Sequence, residues 1–319
     1  MPQKTWQEIE EIGHLLYDGL KECRLCPRRC GVNRLKGEVG FCRAGAVAKV
    51  ARGVPHMGEE PPLSGQKGAG TIFFSHCHMD CIYCQNYQIS HLHYGKEVSI
   101  EELAQLMWSL FQKGCHNIEW VSVTHFLPQT LLALARCVRN GLNLPIVMNS
   151  GGYELPDTLK LLEGIVDIYL PDAKYENSKY GLQFSRAPNY SAINQAAIAE
   201  MIRQVGTELV LDSSGIARRG IIIRHLVLPG CAQDSKAILK RIAFCHGTNV
   251  HISLMSQYFP AFRAKGDETL GRYLLQEEYE EVIRFADVCG LENGWMQPYE
   301  PLQEEYYPDF LDNSVTVMV

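Results

Sequence analysis

Gly70-Thr-Ile-Phe-Phe-Ser75, followed by His76-Cys77-His-Met-Asp-Cys81-Ile-Tyr-Cys84, is the stretch on which the fold turns. Its first half is a short apolar run, the pattern of a strand buried on both faces. Its second half sets three cysteines at C-x3-C-x2-C on the loop that leaves the strand. Three thiolates on one loop suit three corners of a cubane iron–sulfur cluster and leave the fourth iron open. An open iron takes a substrate as ligand, as the open position of a catalytic zinc does.

Downstream the strand-then-helix alternation repeats. Ser99 with Glu102 forms a capping box. Leu103, Leu106, Met107, Leu110 and Phe111 then fall at helical spacing on one face. Residues 119–124 are expected as a second strand, and 129–139 as a helix stopped by Gly141, a typical C′ residue. Further strands are expected at 145–148, 166–170, 221–228 and 250–255, and further helices at 157–162, 191–205, 235–245 and 277–288. Six β–α units in succession imply parallel strands with right-handed crossovers. The expected class is α/β: a partial (β/α)6 TIM-type barrel with a small Cys-rich N-terminal metal-binding segment. A doubly wound sheet is the alternative, but no Gly-rich dinucleotide fingerprint follows the first strand. In a barrel, functional residues gather at strand C-terminal ends. Polar residues do so here: Cys77, His125, Asn149 with Ser150, Asp172 with Lys174, and Gln257 with Tyr258. The expected domains are 1–69, Cys-rich; 70–290, the barrel; and 291–319, an extension packing on it.

The 319 residues are 46% hydrophobic and 21% charged, a globular balance. A net charge of −6 gives no support for nucleic-acid binding. No apolar run approaches the ~20 residues of a membrane span. The N-terminus is charged and amphipathic, without the apolar centre of a signal peptide, so a cytoplasmic protein is expected. In a reducing compartment, closely spaced cysteines read as metal ligands. Seven of the twelve cysteines fall in two groups before residue 85. Cys115, Cys137, Cys231, Cys245 and Cys289 are expected to be small buried hydrophobes.

The second group, Cys23-x2-Cys26-x3-Cys30-x11-Cys42, supplies four thiolates. Four can close a structural zinc site or hold a second cluster. The spacing matches neither a common ferredoxin run nor a symmetrical zinc ribbon, so both stay open. The neighbouring Arg28 and Arg29 keep a cluster open beside zinc, because positive charge stabilises reduced iron–sulfur. His76, His78, His91 and His93 flank the cysteine loop and read as surface or supporting residues rather than ligands. Arg218-Arg219-Gly220 reads as a solvated turn. Tyr306, Tyr307, Pro308 and Phe310 form an aromatic patch expected to cap the barrel floor or pack on the N-terminal segment.

C-x3-C-x2-C with an aromatic residue before its third cysteine resembles the signature of the radical S-adenosylmethionine (radical SAM) superfamily. The run from Phe73 to Ser90 is similar to the pyruvate formate-lyase-activating-enzyme-like branch. So are Cys26-Pro-Arg-Arg-Cys-Gly-Val-Asn-Arg34, Arg224-His-Leu-Val-Leu-Pro-Gly230 and Ser253-Leu-Met-Ser-Gln-Tyr258. The resemblance implies that Cys77, Cys81 and Cys84 bind a 4Fe–4S cluster whose open iron takes the amino and carboxylate groups of S-adenosylmethionine. One electron then breaks a sulfonium C–S bond, and the 5′-deoxyadenosyl radical abstracts a hydrogen from substrate. It implies that Tyr83 lies against the adenine. The family's Gly-Gly-Glu, which holds the methionine amino group, is absent. The matching stretch is Val123-Thr-His-Phe-Leu-Pro128, where Thr124 and His125 stand in its place. Gly151-Gly152 follows the third strand and is no replacement. Asp172-Ala-Lys174 matches the family's Asp-x-Lys. Lys174 would pair the methionine carboxylate, and Asp172 would orient the lysine or the ribose. The plain alternative is a strand-end ion pair. Asn149 and Arg224 are further candidates for the same pocket.

Three functions follow from these residues. The first is a radical SAM enzyme, activating-enzyme-like, that modifies a protein partner through the open side of a six-unit barrel. The second is a radical SAM enzyme for a small molecule, with the N-terminal segment as lid. The third is a non-catalytic iron–sulfur or zinc carrier on a degenerate barrel, disfavoured by the retained Tyr83, Asp172 and Lys174. A reductant such as flavodoxin or ferredoxin is the expected electron partner, with no nucleic acid and no membrane.

Overall fold

The computed structural model describes residues 1–299 and Phe310. Among the described residues ten strands form one sheet: β1 Ala48–His56, β2 Ala69–Phe74, β3 Lys96–Val98, β4 Ile118–Val121, β5 Ile146–Ser150, β6 Ile168–Pro171, β7 Val210–Leu211, β8 Ala217–Leu226, β9 His251–Met255 and β10 Gly294–Met296. Their order is β10-β9-β8-β6-β5-β4-β2-β1-β3, with β7 paired to β8. Every pairing from β2 through β10 along this order is parallel. The six expected strands are β2, β4, β5, β6, β8 and β9. The class is therefore α/β with a parallel-dominated sheet, an open partial barrel.

Strand alternation divides the core. Ile118, Trp120, Ile146, Met148, Tyr169, Ile221, Ile223, Ile252 and Leu254 join the helix residues Leu103, Leu106, Leu131 and Leu134 in the main cluster. Val147, Ile168, Leu170 and Ile222 point to the opposite face and pack with Leu63. Each such fully buried aliphatic side chain contributes roughly 1.5–3 kcal/mol. The helix Ile100–Gln112 starts as its capping box demands. Ser99 Oγ accepts from Glu102 N at 3.1 Å, and the Glu102 carboxylate accepts from Ser99 N at 2.7 Å.

Several elements depart from the sequence reading. β1 pairs antiparallel with β2, so part of the N-terminal segment extends the barrel sheet. Its Gly53 and Pro55 break the apolar pattern that marks the buried strands. The amphipathic N-terminus is the helix Trp6–Asp18, lying close on the helix Leu127–Arg139. A Cβ on Gly13 would come within 2.9 Å of the Leu132 side chain. Residues 294–296 add β10 beside β9. Arg218-Arg219-Gly220 is not a turn but the start of β8. Arg218 bonds Asp212 at 2.6 Å, and Arg219 reaches the Gln204 carbonyl. Cys115, Cys137 and Cys231 are buried as expected, but Cys289 is only partly buried and Cys245 is exposed. Cys245 faces outward near the end of the helix Ala232–His246 and accepts from Gln195 Nε2 at 3.2 Å. Of the aromatic patch, Tyr306, Tyr307 and Pro308 lie outside the described residues. Phe310 is buried edge-on against Phe73, with ring centroids 5.4 Å apart.

Candidate active site

β2 ends at Phe74, and the chain turns through His76, whose φ of +69° lies in the left-handed region. A side chain there costs roughly 1 kcal/mol or more. Surrounding bonds hold the turn: His76 N donates to Ile89 O at 2.8 Å. The loop that follows is fixed from several sides. Asp80 N donates to Ser185 O at 3.1 Å and Ile82 N to Phe184 O at 2.8 Å. Arg28 Nε donates to His78 O at 2.9 Å, from the N-terminal segment. His91 Nε2 is 3.0 Å from Cys81 O while its Nδ1 is 3.0 Å from the Asp80 carboxylate. Such a shell sets the ligand loop before any ligand arrives.

Cys77, Cys81 and Cys84 share this loop. Each sulfur has a donor or hydroxyl beside it: Met79 N at 3.4 Å from Cys77, Ser185 Oγ at 2.9 Å from Cys81, and Ser90 Oγ at 3.1 Å from Cys84. Burial pushes all three thiols up, Cys84 to about 11. A metal centre would replace their protons and leave them as thiolates. Three thiols on one strand-end loop, Cys81 buried and the other two half-buried, each with a polar neighbour, fit a cluster that takes three protein ligands.

Lys174 is the cation that serves this loop. Its Nζ donates to Asp172 at 2.6 Å, just beyond β6. Burial works against its charge, but Asp172 and Cys81 overcome this and hold its pKa well above the usual lysine value. Gly151 makes room: a Cβ there would sit 2.6 Å from Met79 Sδ and 3.7 Å from Lys174 Cε. Gly152, at φ +69°, lies so close to Asp172 O that a Cβ would overlap it at 2.0 Å. The two glycines let the end of β5 pack against both the cysteine loop and the Asp-x-Lys.

The remaining expected residues have protein partners of their own. Tyr83 is buried, and its hydroxyl lies 2.6 Å from that of Tyr175. Tyr175 continues to Ser185 at 2.6 Å, and Ser185 to Cys81, so a chain of hydroxyls runs from Tyr83 to a cluster thiol. Thr124 donates to Glu154 at 2.8 Å. His125 Nε2 lies 2.8 Å from Ser75 O, and its ring lines the cavity of the second cysteine group. Asn149 donates to Glu119 at 2.8 Å. Arg224 is held by Glu59 and Glu60. The trio, Asp172 and Lys174 come together; Thr124, His125, Asn149 and Arg224 are each bound to other partners.

Residues 71–218 match the family model of the radical SAM superfamily. Over those residues the chain is similar to a radical SAM domain. The matched segment holds the cysteine trio, Asp172 and Lys174. A radical SAM domain implies an enzyme that uses a 4Fe–4S cluster and S-adenosylmethionine. An uncharacterised protein of Methanocaldococcus jannaschii is 28% identical over 277 residues, 85% of this chain and 76% of its own length. A solved structure described as native anSMEcpe with bound AdoMet and Cp18Cys peptide aligns with a TM-score of 0.43 and 11% identity. That alignment covers 65% of this chain, which spans 55% of that structure's length. No helix among the described residues is long and apolar enough to cross a membrane.

Several residues around the radical SAM loop escaped sequence reading. Ser185 and Tyr175 support Cys81, Arg28 clamps His78, and Glu154 lies buried between Thr124 and His78. Tyr175 directly follows Lys174, and Arg28 sits within Cys26-Pro-Arg-Arg-Cys30; those positions were the available signals.

Proposed function

We propose that this chain holds a 4Fe–4S cluster through Cys77, Cys81 and Cys84 and binds S-adenosylmethionine beside it. We further propose that it acts on a protein substrate in the manner of an activating enzyme. One observation carries the reading: Lys174, braced by Asp172 at 2.6 Å, stands beside the cysteine loop, with Gly151 between its Cε and Met79 of that loop. When bound and reduced by one electron, the cluster supplies homolytic cleavage of S-adenosylmethionine to a 5′-deoxyadenosyl radical. The chain's own residues do the positioning. The Lys174 ammonium neutralises the methionine carboxylate, and Asp172 keeps the lysine charged and aimed. The chain Tyr83–Tyr175–Ser185 places Cys81, and the glycines 151 and 152 let these parts approach. The open sheet, whose end strands are β10 and β3, favours a large substrate over an enclosed one. A flavodoxin- or ferredoxin-type donor would supply the electron.

The test is anaerobic incubation of the reconstituted, dithionite-reduced chain with S-adenosylmethionine and an extract from cells grown in deuterated medium. 5′-Deoxyadenosine is the expected product. The extract is split by ultrafiltration. Deuterium entering the product from the retained fraction supports a protein substrate, and from the filtrate alone a small molecule. Fully loaded, reduced protein that makes no 5′-deoxyadenosine with either fraction sinks the enzymatic reading.

A further inference from the structure

The segment between the helix Trp6–Asp18 and β1 contributes a site the radical SAM reading does not use. Cys23, Cys26, Cys30 and Cys42, with Arg34 and His125, line one cavity. Cys26 and Cys42 are buried, Cys23 is half-buried and Cys30 reaches the surface. Every sulfur faces an N–H donor. Arg34 Nη1 lies 3.8 Å from Cys23, and Phe41 N donates to Cys30 at 3.4 Å. The backbone N–H groups of Arg28 and Ala44 serve Cys26 and Cys42. Donors on all four sulfurs suit thiolates, whose charge they stabilise.

Three side chains on the lining lack the partner they need. Arg34 is 1% exposed, and its bonds go to Gly45 O and Cys23 with no carboxylate among them. A buried guanidinium requires a compensating anion. Arg28 Nη2 is buried with no acceptor, and it lines the same cavity. His125 is 2% exposed; its Nε2 is taken by Ser75 O, and its Nδ1 has no partner. Two guanidiniums with no carboxylate partner and an open imidazole nitrogen around four cysteines call for an anionic occupant with metal character.

Charge separates the two candidates. Zinc and a cluster can each take four cysteines. Positive neighbours stabilise a reduced iron–sulfur centre, and Arg28 and Arg34 both lie on the lining of this cavity.

We propose that Cys23, Cys26, Cys30 and Cys42 hold a second iron–sulfur cluster of the 4Fe–4S type, not a zinc ion, with Arg34 and Arg28 as its counter-charges. The site deepens the proposed function by adding a second centre, and it stands on its own residues. Arg28 ties it to the first, since its Nε donates to His78 O inside the Cys77 loop.

The decisive experiment uses the full chain with Cys77, Cys81 and Cys84 all replaced by Ala, reconstituted without oxygen in the presence of iron, sulfide and zinc. About four irons and as many acid-labile sulfides should remain, with a reduced-state paramagnetic signal. Adding Cys26→Ala and Cys42→Ala should abolish them. One retained zinc without sulfide, or no metal at all, overturns the proposal. Should the triple variant fail to fold, the wild-type chain decides: about eight irons support the second cluster, and about four irons with one zinc overturn it. The reciprocal variant, lacking Cys23, Cys26, Cys30 and Cys42, tests the first centre separately. Loss of all iron there alongside retention in the triple variant would sink the proposed function and leave this site standing.

Discussion

Asp172 and Arg224 face each other across adjacent strand ends, joined by a parallel bridge, yet their ion pairs differ in kind. Asp172 meets Lys174 two residues along the chain, with side chains 21% and 17% exposed. Arg224 meets Glu60 at 2.8 Å and also Glu59, all three nearly sealed from water. The lysine has three N–H donors, and Asp172 takes one, so a ligand carboxylate can take another. The guanidinium fork is filled by two carboxylates whose own burial demands it. The same level of the barrel thus carries a cation available to a ligand and a cation bound into the architecture. Position at a strand end does not distinguish them; the supply of partners does.

Breaking the sealed group should have the largest effect. Arg224→Ala leaves Glu59 and Glu60 buried without a counter-charge, with Glu119 close by. Loss of one partner from a buried pair costs about 3–5 kcal/mol. The variant should therefore show a thermal midpoint well below wild type, or accumulate insoluble, while its cysteine ligands are untouched. A midpoint within a degree or two of wild type would show that water reaches the two glutamates and that the contrast with Lys174 is false.

The same contrast explains what could be read in advance. The six parallel strands were legible because burial on both faces leaves continuous apolar runs such as residues 70–74 and 221–223. The cysteine trio was legible because its three thiols share one loop, so spacing alone carries the geometry. Asp172 and Lys174 were legible for the same reason. The partners of Arg224 lie 164 and 165 residues earlier, and no local pattern links them. Thr124 and Asn149 sit at strand ends as expected, but Glu154 and Glu119 capture them through tertiary contacts. β1 was illegible because its pairing with β2, not its own composition, makes it a strand.

The exposed side of the comparison predicts a smaller and more selective loss. Lys174→Ala removes a carboxylate partner from the pocket without leaving a sealed charge, since Asp172 can still reach water. Affinity for S-adenosylmethionine should fall about tenfold, or ~1.4 kcal/mol, while iron content and thermal midpoint stay near wild type. Anaerobic equilibrium dialysis with the loaded protein measures this. Affinity that survives both Lys174→Ala and Lys174→Glu would place the methionine carboxylate elsewhere and make the pair an ordinary strand-end bridge.

The smallest effect concerns Glu119, the third acid of the sealed group. It is fully buried and accepts from Thr71 Oγ1 and Asn149 Nδ2 at 2.8 Å each. Burial, reinforced by the charge of Glu59, raises its pKa to about 8 against the nearby Arg224. At neutral pH it is therefore largely protonated, and Glu119→Gln replaces one neutral group with another of the same shape. Thr71 can rotate to accept from the new amide, so below the ordinary glutamate pKa, where the carboxyl is protonated in folded and unfolded chains alike, the change should be within about 1 kcal/mol. The sign of the pH dependence is the sharper test. A carboxyl whose folded pKa is raised binds its proton more tightly in the folded state than in the unfolded one. Its contribution is complete below the ordinary glutamate pKa and is lost as pH rises toward about 8. Wild type should thus lose stability relative to Glu119→Gln between pH 5 and pH 8, with the difference levelling above that range. Thermal midpoints of the two proteins that run parallel across this window would mean that Glu119 is ionised throughout. The sealed group would then carry three negative charges against the single positive charge of Arg224.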